Sequence, residues 1–212
     1  MIRSKFEVKF TEELNKISIK DIQKLDKVYS ALIEEIDFNK ETILGIEFNE
    51  CLFKNIDFNK AEVENITCID CVFENCDLSN LTLSGKSLIR CKFVNCRLVG
   101  ISIDKYALHN VEFNDCTLKY SNFAGNKFKN VIFDSCNMDD SRFYENKFES
   151  IFFDNVSIKN VEIFKCNLKD VDLTTCNIDG LKINPSELWG VIVNYEQALL
   201  LSRILGIIIK EE

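Results

Sequence analysis

The chain has 212 residues, a length that fits one domain, and its 46% hydrophobic and 28% charged residues supply both a core and a solvated surface. A net charge of −8 excludes the basic class that binds nucleic acid or anionic membranes non-specifically, and leaves a basic partner open. Seven Gly and one Pro are too few for a fold built on ordinary tight turns, so corners made by ordinary residues in one recurring geometry are expected.

Residues 1–35 read as an N-terminal cap. The start Met1-Ile2-Arg3-Ser4-Lys5-Phe6-Glu7 holds no apolar run, so no secretory leader is expected, and no stretch nears the ~18 apolar residues of a membrane helix. Ten cysteines then read as reduced thiols of a cytoplasmic protein. Leu14, Ile17, Ile22, Leu25, Val28 and Leu32 have roughly helical spacing, and Ser18 with Asp21 can start a short helix.

From Ile36 the chain repeats every five residues. The third residue of each row is apolar from Phe38, Ile43 and Phe48 through to Ile183, Leu188 and Val193, and the phase never slips over 32 rows. The first residue is usually Cys, Ile, Val, Leu or Ala, and the other three are mostly polar. Neither a helix (period 3.6) nor a strand (period 2) gives a period of five, whereas a chain that turns a corner every five residues does. Rows such as Cys76-Asp77-Leu78-Ser79-Asn80, Val171-Asp172-Leu173-Thr174-Thr175 and Cys136-Asn137-Met138-Asp139-Asp140 resemble the A(D/N)Lxx signature of pentapeptide-repeat proteins.

That resemblance implies an all-β, right-handed quadrilateral parallel β-helix over residues 36–193, in which four rows make one coil and 32 rows make about 8 coils. At ~4.8 Å per coil the rod is roughly 38 Å long. Stacking residues twenty apart puts Phe53, Phe73, Phe93, Phe113, Phe133 and Phe153 in one core column, followed by Leu173 and Val193. The other sides carry the columns through Leu78, Leu83 and Leu88. Both ends of such a stack need caps.

Residues 194–212 supply the C-terminal one. Asn194 with Gln197 three residues on forms a capping box, Tyr195 to Leu205 reads as an apolar helix, Gly206 suits its C′ position, and Ile207-Ile208-Ile209 reads as a short strand. The segment Val193–Ile207 resembles the C-terminal end of the Qnr quinolone-resistance proteins, and the resemblance implies a homodimer contact through Tyr195, Ala198, Leu201, Ile204, Leu205, Ile207 and Ile209. A cap alone is the other reading.

Residues that carry chemistry elsewhere are absorbed by the repeat. Nine cysteines hold first positions and Cys68 a third, so Cys68-Ile69-Asp70-Cys71 reads as two inward small hydrophobes rather than a zinc or redox CxxC. The only histidine, His109, faces outward, and no phosphate loop, paired-His motif or nucleophile elbow is present. No catalytic residue, cofactor or metal site is expected. Glu41, Lys86, Tyr106, Asn126, Asn146 and Ser186 break the first-position rule, and the last five share one side. Lys86 and Tyr106 are expected to turn outward, and Asn126 with Asn146 to stack as an amide ladder; the side is either locally repacked or shaped for a partner.

Charge is uneven between the sides. Outward from the Phe column stand Glu74, Glu112, Asp115, Asp134, Asp154 and Asp172 against Lys54 and Lys92, with Leu52, Val72, Val94, Ile132, Phe152 and Ile192 between them. An acidic face with exposed apolar residues reads as a protein-binding surface or as a solvated side. The resemblance implies a non-enzymatic DNA mimic that binds DNA gyrase or topoisomerase IV and protects it from quinolones, with no direct contact to nucleic acid or membrane. A scaffold with a different partner is the alternative.

Overall fold

A computed structural model describes residues 6–38 and 40–210; Met1–Lys5 of the N-terminal cap, Asn39, and Glu211–Glu212 lie outside the described residues. The period of five becomes a four-sided parallel β-solenoid of about eight coils. Residues twenty apart are ladder partners, as in Phe53↔Phe73↔Phe93↔Phe113↔Phe133↔Phe153. On the Phe-column side these belong to the strands Leu52–Lys54, Val72–Glu74, Ser87–Val94, Ala107–Asn114, Lys127–Asp134 and Lys147–Asp154. The Leu83 side is a second ladder running from Thr82–Ser84 to Lys182–Ile183, and the Leu78 side is held by single bridges from Asp57↔Asp77 to Ser157↔Asn177.

The corners explain the shortage of glycine. Every fifth-position residue from Ser30 to Gly190 has a left-handed φ between 47° and 78°, except Lys60, Ser150, Thr175 and Pro185. Asn and Asp tolerate that region best because their short side chains bond locally, and they fill most of the non-glycine corners. Pro185 has its φ fixed and cannot adopt it, and β-branched Thr175 is disfavoured there. Second-position Asp57, Asp77, Asn137, Asp172 and Asn177 each accept a hydrogen bond from the N–H two residues on. This side-chain turn is the physical content of the Asp/Asn that precedes the apolar residue in the repeat.

The first and third positions fill the interior. Each first-position thiol from Cys51 to Cys136 donates to a carbonyl in the preceding coil, as Cys71 Sγ does to Phe48 O at 3.5 Å and Cys91 Sγ to Cys68 O at 3.3 Å. Small sulfur side chains thus pack the corner and satisfy a backbone acceptor at once.

At the N-terminus, helix α1 (Ile19–Ile22) makes a single turn, with the Ser18 hydroxyl accepting from the Asp21 N–H. The helical spacing goes no further, because Val28 and Leu32 fall in the strands Lys27–Tyr29 and Ala31–Glu34, which pair with Glu47–Asn49 and Leu52–Lys54. Asn15–Lys16 adds one more strand against Ala31–Leu32.

At the C-terminus, helix α2 (Tyr195–Ile204) starts at the Asn194–Gln197 capping box. Gln197 Nε2 also donates to Leu173 O at 2.6 Å and Cys176 O at 2.8 Å, closing two carbonyls of the last coil. Leu201 packs over the coil end, 7% exposed. The expected strand at Ile207–Ile209 does not form, because among the described residues no edge is paired with it.

Candidate interaction surfaces

Stacking fixes which way each side chain on the Phe-column face points. The six rings lie 4.4–5.5 Å apart with planes within 11° of parallel. With the third position locked inward, the second and fourth are directed outward. The acidic residues do not form one cluster. Asp134 and Asp154 are ladder partners in adjacent coils. Asp154 and Asp172 line a shallow cleft with Asp170, Phe152 and Ile192. Glu112 lies 3.3 Å from Lys92 Nζ and accepts from Asn114 Nδ2, and Asp115 sits at a corner. Glu74 stands three coils before Asp134, beside Lys54. Asp172 accepts from both the N–H and the hydroxyl of Thr174, and these bonds hold its carboxyl below the usual range.

The apolar residues between them are partly covered. Leu52, Val72, Val94 and Phe152 are half-buried, and Ile132, though its neighbours Val131 and Phe133 point into the core, is 1% exposed. Sequence reasoning missed one source of cover. Phe6, Val8 and Phe10 are half-buried while Glu7 and Lys9 are exposed and paired with each other at 3.5 Å. That alternation is the signature of an extended segment with one apolar side. The Phe6 ring centroid is 5.4 Å from Lys92 Nζ on the Phe-column face, and the Thr11 N–H and hydroxyl both donate to Glu50 at 2.7 Å. The period-two pattern in Phe6-Glu7-Val8-Lys9-Phe10 was the available signal.

The irregular side resolves into a repacked core. Lys86 turns outward as expected, but Tyr106 does not; it is 1% exposed. The slot that Lys86 vacates lets the Tyr106 hydroxyl reach back two coils and donate to Ile66 O at 2.8 Å. Asn126 and Asn146 form a ladder through the backbone rather than amide to amide. Their Nδ2 groups donate to Ile103 O and Phe123 O, and their Oδ1 atoms accept from the N–H of Tyr106 and Asn126. They occupy the acceptor slot that thiols use elsewhere. Ser186 lies exposed within the 3₁₀ turn Pro185–Leu188.

All ten cysteines are free and buried, Cys68 and Cys71 among them. Burial pushes the Cys71 thiol well above its ordinary range and Cys176 up to about 11. Among the described residues no group of His, Cys, Asp and Glu is placed to hold a metal ion, and no helix is long and apolar enough to cross a membrane. His109 sits half-buried between Ile89 and Lys129 in the ladder.

The C-terminal end is the most apolar exposed surface. Tyr195 is 79% and Ile208 88% exposed, with Leu205, Ile207 and Ile209 exposed around them and Ala198 on the same helix. Leu201 and Ile204 face the coil end instead. The seven residues singled out from the sequence thus divide, two packing on the cap and five outward.

A family model described as pentapeptide repeat region matches residues 66–133 and 126–198. No curated protein sequence matches the chain. Among solved structures, trypsin-treated QnrB1, a plasmid-mediated fluoroquinolone resistance protein, is similar at 18% identity over 92% of this chain and 96% of its own, with a TM-score of 0.38. Rfr23, a pentapeptide repeat protein from the cyanobacterium Cyanothece 51142, is similar at 12% identity over 72% of this chain and 91% of its own, with a TM-score of 0.32. HetL, a pentapeptide repeat protein involved in heterocyst differentiation regulation from the cyanobacterium Nostoc, is similar at 10% identity over 83% of this chain and 94% of its own, with a TM-score of 0.25.

Proposed function

This chain belongs to the pentapeptide-repeat family, and from that premise we propose that it is a non-catalytic binding protein that engages a type II topoisomerase, DNA gyrase or topoisomerase IV, by presenting an acidic face in place of DNA. The observation that supports the reading is the pair Asp134 and Asp154, ladder partners in adjacent coils, with Asp172 in the cleft that Asp154 shares with Phe152 and Ile192. Carboxylates held on a rigid sheet offer a basic groove what a phosphate backbone offers, and the apolar neighbours add contact area. With no interruption in its phase, the coil has only its faces and its ends to bind with.

Charge sets the extent of the mimicry. Residues 36–195 carry 24 carboxylates against 17 Lys and Arg, a net of −7. A duplex as long as the ~38 Å rod carries about twenty-two charges. One face, not the whole rod, is therefore the DNA-like element. We assign the exposed apolar C-terminal end, with Tyr195, Ala198, Leu205, Ile207 and Ile209 outward, to a homodimer contact, since so many large apolar side chains left in water at one end of the chain call for a partner. The proposed setting is a bacterial cytoplasm.

The test is a plasmid supercoiling assay with gyrase, with and without a fluoroquinolone, resistance to which is named for QnrB1. Micromolar protein is expected to protect or inhibit, and Asp134→Lys/Asp154→Lys/Asp172→Lys to lose the effect. Neither protection nor inhibition at that concentration sinks the reading. The low charge density favours, as a second reading, a scaffold whose basic partner is not a topoisomerase; pull-down by the wild type but not the triple variant, with the supercoiling assay silent, is its signature.

A further inference from the structure

The segment from Phe6 to Leu14 has a place on the rod that the repeat does not explain. It precedes the strand Asn15–Lys16, which closes the N-terminal end of the Phe-column ladder. From there the chain folds back over the outside of the same face. Thr11 meets Glu50 at the corner leading into the Phe53 row, and Phe6 meets Lys92 two coils further on. Five residues reach ~16 Å when extended, ample for the ~10 Å between those coils. Phe6, Val8 and Phe10 are the half-buried residues of the run, and Glu7 and Lys9 stay in water. The segment thus lies along the rod axis, across the strands, on the face whose outward column includes Leu52, Val72 and Lys92.

We infer that this segment is an intramolecular strap, and that the surface beneath it is a docking groove for an extended peptide with alternating apolar residues. The occupant in the resting protein is the chain's own Phe-x-Val-x-Phe run. Three features carry this. Among the described residues the strap belongs to no β-ladder; it is joined to the face by the Thr11 bonds to the Glu50 carboxylate and by Phe6 against Lys92. Its Glu7–Lys9 ion pair is solvent-exposed and internal to the segment, so removing the strap is expected to leave the coils intact. The face it crosses carries outward apolar side chains that water would otherwise meet. A segment tethered this close has an effective concentration on the order of millimolar, and a partner must displace it. The inference rests on the Phe-column face being an interaction surface and not on the partner's identity.

Two measurements on the full chain test it, and neither uses a topoisomerase. The first is Phe6→Cys with Lys92→Cys, oxidised by oxidised glutathione, with Phe6→Cys and Thr82→Cys as the matched pair on a different side. The first pair is expected to close within one chain, running as a monomer on a non-reducing gel, and the second to stay open. Equal closure of both pairs, closure of neither, or a cross-linked dimer overturns the strap. The second is a labelled peptide of residues 6–14, titrated by fluorescence anisotropy into wild type and into Phe6→Ser/Val8→Ser/Phe10→Ser. For a peptide Kd of ~100 μM the tethered strap weakens apparent binding to the wild type by about tenfold relative to the variant. Equal binding to both, or binding to neither, overturns the groove. A silent supercoiling assay beside a positive peptide result rejects the topoisomerase and keeps the strap.

Discussion

A side chain at a left-handed corner carries a backbone cost that its neighbours must offset. For a non-glycine residue that cost is roughly 1–2 kcal/mol, lowest for Asn and Asp. Tyr120 stands at such a corner with φ 60° and is 59% exposed, its ring 5.5 Å from the Lys119 ammonium. Tyr120→Asn is therefore expected to raise stability by about 0.5–1 kcal/mol. The converse is Asn95→Val, which places a β-branched residue at φ 52° and removes the Asn95 Nδ2–Asn75 Oδ1 bond of 2.6 Å. It should lower stability by about 2 kcal/mol. Urea unfolding midpoints of the two variants should move in opposite directions; movement in the same direction contradicts the corner argument. The run of Asn and Asp at fifth positions was legible in the sequence because the preference is local. Tyr106 was not, because its inward rotamer depends on space left by Lys86 twenty residues earlier, and no local rule contains that pair.

At the scale of an element, helix α2 does two jobs with two sets of residues. Gln197, Leu201 and Ile204 close the last coil, where unsatisfied carbonyls and open core would otherwise meet water. Tyr195, Leu205, Ile207 and Ile209 are exposed. Capping was readable in the Asn194–Gln197 pair, since a capping box is a four-residue pattern. The strand at Ile207–Ile209 was not, because a strand needs a partner edge that the chain itself does not supply. The division predicts how the proposed dimer separates from the fold. Ile207→Glu/Ile209→Glu should halve the mass seen by light scattering while leaving the thermal midpoint of the isolated chain within ~1 kcal/mol of wild-type stability. Gln197→Ala should instead leave two carbonyls of the last coil unpaired and lower stability by about 2 kcal/mol. A double Glu variant that stays dimeric removes the C-terminal end from the interface.

Over the whole molecule, the five-residue period made the solenoid legible because one geometric rule is applied at every row, and an error in one row cannot shift the others. The strap was illegible for the opposite reason: Phe6-Glu7-Val8-Lys9-Phe10 announces an extended apolar edge, but only the three-dimensional coil shows where that edge lies. The same repetition concentrates titratable groups in the core, and this gives the rod a characteristic response to base. Cys71, Cys166 and Cys176 are raised by burial, Cys176 to about 11, and Tyr106 is raised by burial and by the nearby Cys68. In each case the folded state favours the neutral form, so its contribution to stability is complete below the unfolded pKa and is lost as pH rises toward the folded one. An unfolded thiol titrates near ~8.5, so each thiol still neutral at pH 10 costs the fold about 2 kcal/mol there relative to pH 7. The carboxylates cannot mimic this, since they are fully ionised in both states across that window. The urea midpoint measured under reducing conditions should therefore be flat from pH 6 to 8 and fall steeply between pH 9 and 10.5. Cys71→Ala/Cys176→Ala should flatten that fall while lowering the midpoint at pH 7 through the lost packing. A wild-type midpoint unchanged at pH 10 would mean that the stacked thiols are in contact with water, and that the coil breathes on the timescale of the measurement.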